Sequence, residues 1–136
     1  MTRFKEVSVG DRLPQLCIPV TRTLIVAGAL ATRDFEDVHH DPHRAVARGA
    51  PDTYMSINNT NGLIGRYVTD WTGPDARLAS LSTRLGVTNA PGDTMTLTGE
   101  VTAIERDTVT IQVRADNAKG VHASATIVLR WPEAAA

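Results

Sequence analysis

Apolar and polar residues alternate through the second half of the chain, with an apolar or small residue at every second position. The alternating segments are residues 79–87, 95–103, 109–115 and 121–131. A period of two is typical of β-strands that bury one face. Turn-forming residues separate the segments at positions 90–93, 105–107 and 117–120. The pattern therefore predicts four antiparallel strands joined as a meander, in a sheet that is strongly curved because its strands are long.

A helical spacing of apolar residues comes before these strands. Between Ser56 and Trp71 the inward positions are Ile57, Thr60, Ile64, Tyr67, Val68 and Trp71. Such a spacing predicts a helix with one apolar face, and Gly62 and Gly65 within it suggest that another element approaches closely. A sheet with one buried face needs a covering layer, so this helix is expected on the concave side of the sheet.

A shorter helix is expected upstream, through 24–31, with Thr21 or Thr23 as its N-cap. A central helix wrapped by a curved antiparallel sheet is an α+β arrangement known as the hot-dog fold. We expect one such domain over residues 1–136, because this length suits a single core and an apolar content of 42% is ordinary for a globular protein.

Charge and cysteine content exclude several classes of function. The formal net charge is −1, with acidic and basic residues interspersed, so the chain lacks the basic surface of a nucleic-acid-binding protein. Cys17 is the only cysteine, which rules out an intrachain disulfide, and we expect it to be a small core residue. The longest apolar stretch, residues 24–31, is far shorter than the ~20 residues of a membrane span. A cytoplasmic protein that does not enter membranes is therefore expected.

The most informative segment lies between the two predicted helices. It places Asp34, His39 and Asp41-Pro42 within nine positions. Five residues turn a regular helix by about 500°, so Asp34 and His39 can converge only if the backbone turns between them. Pro42 disfavours helical geometry at Asp41, which indicates a loop. A carboxylate and an imidazole that converge on a loop can hold and deprotonate one water molecule.

This segment, followed by the central helix and by a strand turn at Pro91-Gly92-Asp93, resembles the MaoC-like, R-specific enoyl-CoA hydratases. The resemblance covers the chain from about Thr21 to Trp131. It implies that Asp34 and His39 hold the catalytic water of a hydration reaction, with His39 exchanging protons or sharing that transfer with Asp34. No separate cofactor is expected, because CoA is part of the substrate.

The pair His39-His40 and residues 66–71 look closest to the small hydratase subunits of actinobacterial steroid side-chain degradation. That closer resemblance implies a bulky acyl-CoA substrate and a second MaoC-like hot-dog subunit as partner. Self-association into a homodimer is the alternative, since an edge strand of a hot-dog sheet favours pairing.

One position departs from the family pattern. Family members carry a glycine at the start of the central helix whose backbone N–H polarises the thioester carbonyl, and an ungapped count places Ile57 there. A backbone donor survives the change of side chain, but the bulk of Ile57 restricts how a thioester approaches. We therefore assign Ile57 to substrate binding. Asn58, Asn59 and Asn61 follow on the same helix, and they either line a wet cavity beside Asp34 or face a partner.

Other interpretations of the same residues remain. The Asp34 segment is also compatible with a plain helix end and a surface histidine. A metal site built from His39, His40, Asp41 and His43 is less compatible, because adjacent histidines rarely point to one centre. At the level of function, a hot-dog thioesterase and a catalytically silent partner subunit are the two alternatives to a hydratase.

Overall fold

The computed structural model describes residues 2–132. Its helices are α1 (Arg22–Ala31), α2 (Pro42–Ala47) and α3 (Ile57–Thr72), with short 3-10 turns at Phe4–Glu6 and Asp37–His39. Its strands are β1 (Arg12–Pro19), β2 (Arg77–Leu85), β3 (Thr94–Glu105), β4 (Thr108–Asn117) and β5 (Gly120–Arg130). The predicted domain over residues 1–136 extends at both ends beyond the described residues.

The strands form one antiparallel sheet in the order β1-β3-β4-β5-β2. Successive strands β3, β4 and β5 pair with their neighbours through tight turns, as the meander predicts. Two of these turns use left-handed backbone, with φ of 52° at Arg106 and 138° at Gly120. Strand β2 pairs with the far side of β5 and not with β3, so the predicted four-strand meander is wrong for its first strand. Strand β1 takes the place beside β3. Both β1 and β2 are therefore edge strands.

Helix α3 packs on the concave face of this sheet and forms the core with it. Ser56 is its N-cap, and the Ser56 hydroxyl accepts a hydrogen bond from the Asn59 N–H. Ile64 and Val68 are fully buried, and Tyr67 is 4% exposed. The sequence spacing predicted this element to within one residue at each end. The curved sheet around a central helix confirms the hot-dog fold.

One strand was missed, and the expectations for three residues, Cys17, Gly62 and Gly65, were wrong. Strand β1 was not predicted, because its burial does not alternate and a register irregularity between Leu13 and Leu16 interrupts its pairing with β3. Cys17 lies on this strand and is exposed, so it is not a core residue. A Cβ added at Gly62 or Gly65 would meet no atom within 4 Å, so neither glycine permits a close approach among the described residues.

Candidate active site

The end of α1 fixes the position of Asp34. Arg33 adopts left-handed backbone with φ of 57°, which reverses the chain direction after the helix. The Asp34 N–H then donates to Ala29 O at 2.9 Å, and the Arg33 N–H donates to Leu30 O at 3.1 Å. This pair of bonds is the Schellman arrangement that closes many helices. A side chain in left-handed backbone costs about 1 to 2 kcal/mol, and here that conformation directs Asp34 away from the helix axis.

Backbone contacts with Tyr54 fix His39. The short 3-10 turn Asp37–His39 buries Val38 and His39. The Tyr54 N–H donates to Val38 O at 3.2 Å, and His39 Nδ1 donates to Tyr54 O at 2.7 Å. The Tyr54 ring also packs edge-on against the imidazole, with centroids 5.3 Å apart. Because a carbonyl only accepts, the Nδ1 hydrogen is committed and Nε2 is the nitrogen free for chemistry.

Asp34 and His39 converge as the sequence predicted. His39 Nε2 lies 3.5 Å from Asp34 Oδ2, and the two side chains are 8% and 20% exposed. In the neutral ring Nε2 carries a lone pair, so both facing atoms are hydrogen-bond acceptors. One water molecule can donate a hydrogen to each of them. The interpretation of Asp34 as a plain helix end with a surface histidine is therefore wrong.

Both side chains line a cavity of about 430 Å³. Its walls come from the loop before α2, from the start of α3 and from the segment that follows β2. Ile57, the first residue of α3, lies on this wall and is 42% exposed. The N–H groups of the first helical turn have no partners within the helix, and the positive end of the helix dipole faces the same region. The Asn59 N–H already donates to the Ser56 hydroxyl, so the N–H of Ile57, the first-turn residue that lines the cavity, is the donor for a carbonyl oxygen there.

The three asparagines of α3 do not line this cavity. Asn59 is 7% exposed, and its side-chain amide donates to Leu24 O at 3.1 Å. This hydrogen bond joins α3 to α1. The prediction that Asn59 binds substrate is therefore wrong, because its polar group is already used. Asn58 is exposed, and the half-buried Asn61 has a side-chain oxygen without a partner among the described residues. For these two a role in substrate or partner contact stays a prediction.

A second histidine of the cavity, His122, was missed. Its place in an alternating strand predicted a position on the polar side, but it is 2% exposed. The pairing of β4 with β5 shifts by one residue between Ala115 and Asp116, and His122 is the extra residue. Such a bulge rotates a side chain onto the inner face. Burial lowers the pKa of His122.

Charged residues surround the cavity mouth. Arg48 lies 3.3 Å from Glu36 Oε2 and 3.2 Å from Asp37 Oδ1, and all three are near the surface. Asp41 caps α2 by accepting the Arg44 N–H at 3.1 Å, so the Asp41-Pro42 pair begins a short helix as well as ending the loop. His40 and His43 are exposed. Within residues 2–132 no three potential ligands lie close enough together to hold a metal ion.

Comparisons with known proteins show which proteins this chain is similar to. No protein-family model matches the chain. The 3-oxo-4,17-pregnadiene-20-carboxyl-CoA hydratase beta subunit of Mycobacterium tuberculosis is 48% identical over 121 residues, which cover 89% of this chain and 94% of that protein. The crystal structure of the ChsH1-ChsH2 complex from Mycobacterium tuberculosis contains a chain that is 47% identical with a TM-score of 0.90, covering 91% of this chain and 98% of that one.

A more distant structure has the same fold. The (R)-hydratase from A. caviae involved in PHA biosynthesis is 20% identical with a TM-score of 0.85, and the match covers 94% of this chain and 99% of that one. The fold and the paired Asp34 and His39 define a hot-dog protein of the hydratase type. By its similarity to the mycobacterial subunit, the chain belongs to the MaoC-like, R-specific enoyl-CoA hydratase family. None of the helices described here is long and apolar enough to span a bilayer.

Proposed function

We propose that this chain is the water-activating subunit of an enoyl-CoA hydratase. Asp34 and His39 are the catalytic residues of this proposal, and CoA enters only as part of the substrate. The observation that carries it is the 3.5 Å approach of His39 Nε2 to Asp34 Oδ2 inside a cavity that also contains the start of α3. Two acceptors at that distance, one of them a base, suit a single water molecule held for attack.

The reaction adds water across the double bond next to the thioester. The water oxygen forms a bond to C3 while one of its protons moves to His39 Nε2, and the electron pair of the double bond moves towards the thioester oxygen. His39 then returns that proton to C2, so that hydroxyl and hydrogen are both accounted for. Asp34 accepts a hydrogen bond from the second hydrogen of the water, which stays on the oxygen as the product hydroxyl, and it stabilises the imidazolium, while Tyr54 O keeps the ring in place through Nδ1.

The thioester oxygen gains negative charge during this step. The Ile57 N–H at the start of α3 is the donor best placed to stabilise it, because first-turn N–H groups are unused by the helix and the helix dipole adds to their effect. The isoleucine side chain then borders the path of the acyl group. A preorganised donor of this kind contributes roughly 100- to 1000-fold in rate.

For the substrate we propose a steroid-side-chain acyl-CoA, and for the partner a second MaoC-like hot-dog subunit. Support for both comes from the similarity to the mycobacterial beta subunit and to a chain of a two-protein complex. Exposed apolar residues at the open side of the cavity, Ile57 at 42% and Leu85 at 44%, support a covering subunit. A cytoplasmic location fits a CoA substrate and a single free cysteine.

Replacement of the paired side chains tests the proposal. Asp34→Asn and His39→Ala are each expected to lower kcat at least 100-fold, and urea midpoints confirm that each variant is folded under the assay conditions. Asp70→Asn and His43→Ala are matched controls, since both residues are exposed and lie outside the cavity. Turnover is followed as loss of the enoyl absorbance, with the chain purified together with its partner subunit.

The same assay separates the alternatives. Release of free CoA from a saturated acyl-CoA would identify a thioesterase. If the Asp34 and His39 variants retain full hydratase activity in the complex, the partner performs the chemistry and this chain is the silent subunit. Native activity in the controls together with loss in both site variants is the outcome we expect.

A further inference from the structure

The buried ring of His122 connects two walls of the cavity. Its Nδ1 lies 2.7 Å from Val87 O, in the segment that follows β2. Its Nε2 lies 2.9 Å from the Thr60 hydroxyl, in the first turn of α3. His122 lines the same cavity as Asp34 and His39, and its two ring nitrogens bond to Val87 and Thr60 and not to that pair. The water-activation step leaves this buried polar residue without a role.

The donor and the acceptor of each hydrogen bond at His122 can be assigned. Because Val87 O only accepts, Nδ1 of His122 carries the hydrogen. In the neutral ring Nε2 then accepts, and the Thr60 hydroxyl donates to it. Ser56 O, at 3.3 Å, competes for the same hydroxyl hydrogen. Burial lowers the pKa of His122 and so favours the neutral ring in which Thr60 donates to it.

The Thr60 hydroxyl can donate either to His122 Nε2 or to Ser56 O, and the presence of His122 determines which bond forms. Without His122 the hydroxyl returns to Ser56 O, as threonine hydroxyls in helices commonly bond the carbonyl four residues back. The first turn of α3 then loses its side-chain connection to the sheet, and the Met55 N–H, which donates to Asn89 O at 2.9 Å just before the helix, still joins this end of the helix to the segment after β2. With His122 the first turn is also tied to Val87 O and thus to the sheet.

We propose that His122, acting through Thr60, is a positioning residue that sets the first turn of α3 so that the Ile57 N–H reaches the thioester oxygen. This inference rests on the proposed function, because it concerns the donor of the same site. His122 does not touch the reacting atoms. A shift of about 1 Å in such a donor lowers a rate roughly 100-fold, so a small movement of this turn has a large effect.

Paired substitutions separate the two hydrogen bonds. In His122→Asn the shorter amide keeps the place of Nδ1 and the bond to Val87 O but does not reach Thr60. In His122→Gln the longer amide reaches Thr60 and gives up Val87 O. Thr60→Val removes the hydroxyl at nearly constant shape, and Thr60→Ser keeps it. His43→Asn is the control for loss of a histidine, since His43 is exposed.

Two measurements on the assembled protein report on the donor itself. Steady-state kinetics with an enoyl-CoA give kcat and KM separately. Infrared difference spectra of a bound saturated acyl-CoA, labelled with carbon-13 at the thioester carbonyl, report how strongly that carbonyl is polarised. A saturated ligand is not hydrated, so the spectrum is independent of turnover. Urea midpoints confirm that each variant is folded under the assay conditions.

We expect His122→Asn and Thr60→Val each to lower kcat roughly 10- to 100-fold with little change in KM, and to reduce the downshift of the carbonyl band. Thr60→Ser and His122→Gln should retain most of both, and the double variant His122→Asn/Thr60→Val should lose no more than either single one. A native carbonyl band in folded His122→Asn and Thr60→Val would overturn the inference. Absence of hydration by the native complex would instead overturn the proposed function.

Discussion

Replacement of Gly28, in the interior of α1, by alanine is predicted to destabilise the protein. A Cβ built at this position would overlap the side-chain amide of Asn59, and even Asn59 Oδ1 would lie only 2.6 Å away. The amide cannot move without losing its bond to Leu24 O, which joins α3 to α1. Because Asp34 is attached to the end of α1 through Ala29 O, a displaced α1 also disturbs the approach of Asp34 to His39.

The magnitude follows from three contributions. Inserting a methyl group into packed structure costs about 1 to 3 kcal/mol, and loss of the amide bond to Leu24 O costs about 1 kcal/mol more. The gain in helix propensity from glycine to alanine returns about 1 kcal/mol. Gly28→Ala should therefore lower the free energy of unfolding by about 1 to 3 kcal/mol. For a small protein this lowers the urea midpoint by roughly 1 M.

Gly62→Ala is the matched control, because the same change in α3 meets no atom within 4 Å. It should raise the free energy of unfolding by up to about 1 kcal/mol. Urea unfolding of the purified chain, followed by circular dichroism, measures both. Asn59→Ala should destabilise the native protein but have a smaller or opposite effect in the Gly28→Ala background. A Gly28→Ala variant as stable as the native protein would refute the packing described here.

Three further changes test other parts of the structure. Ile57→Gly should raise kcat/KM for slim linear enoyl-CoAs relative to bulky ones, and an unchanged ratio would remove Ile57 from the acyl path. Because burial holds the folded pKa of His122 below its ordinary value, its contribution to stability is full above about pH 6.5 and is lost as the pH falls through the folded pKa. His122→Gln should therefore weaken the dependence of the urea midpoint on pH in that range, and equal slopes would contradict this. The Cys17 thiol is exposed, and hydrogen bonds with Gln15 and Thr96 lower its pKa. It should react with an aromatic disulfide in the native state, and more slowly in Gln15→Ala. A reaction that needs denaturant would show that the thiol is covered.

Sequence patterns predicted those parts of the molecule that repeat regularly. Helix α3 and strands β3, β4 and β5 each bury one face over most of their length, so a simple periodicity describes them. The convergence of Asp34 and His39 was predictable because both lie within one short loop. Strand β1 escaped prediction because an irregularity divides it and most of its residues face outward.

The remaining parts of the site depend on backbone geometry that side-chain patterns do not carry. Tyr54 positions His39 through a carbonyl group, which every residue possesses. His122 enters the cavity because of a register shift in β5, which depends on how the turn before it closes. The exposed position of Cys17 follows from its place on an edge strand that the sequence did not reveal.

The shift at His122 also affects how related chains are compared. When one residue is inserted into or deleted from a β-strand, the side chains beyond that point turn to the opposite face of the sheet. A relative with one residue fewer opposite Asp116 would therefore carry no side chain where His122 lies, even if every other position matched. In an alignment such a difference is a single gap in a strand. At this point of the fold, that gap would mean a cavity with a different wall.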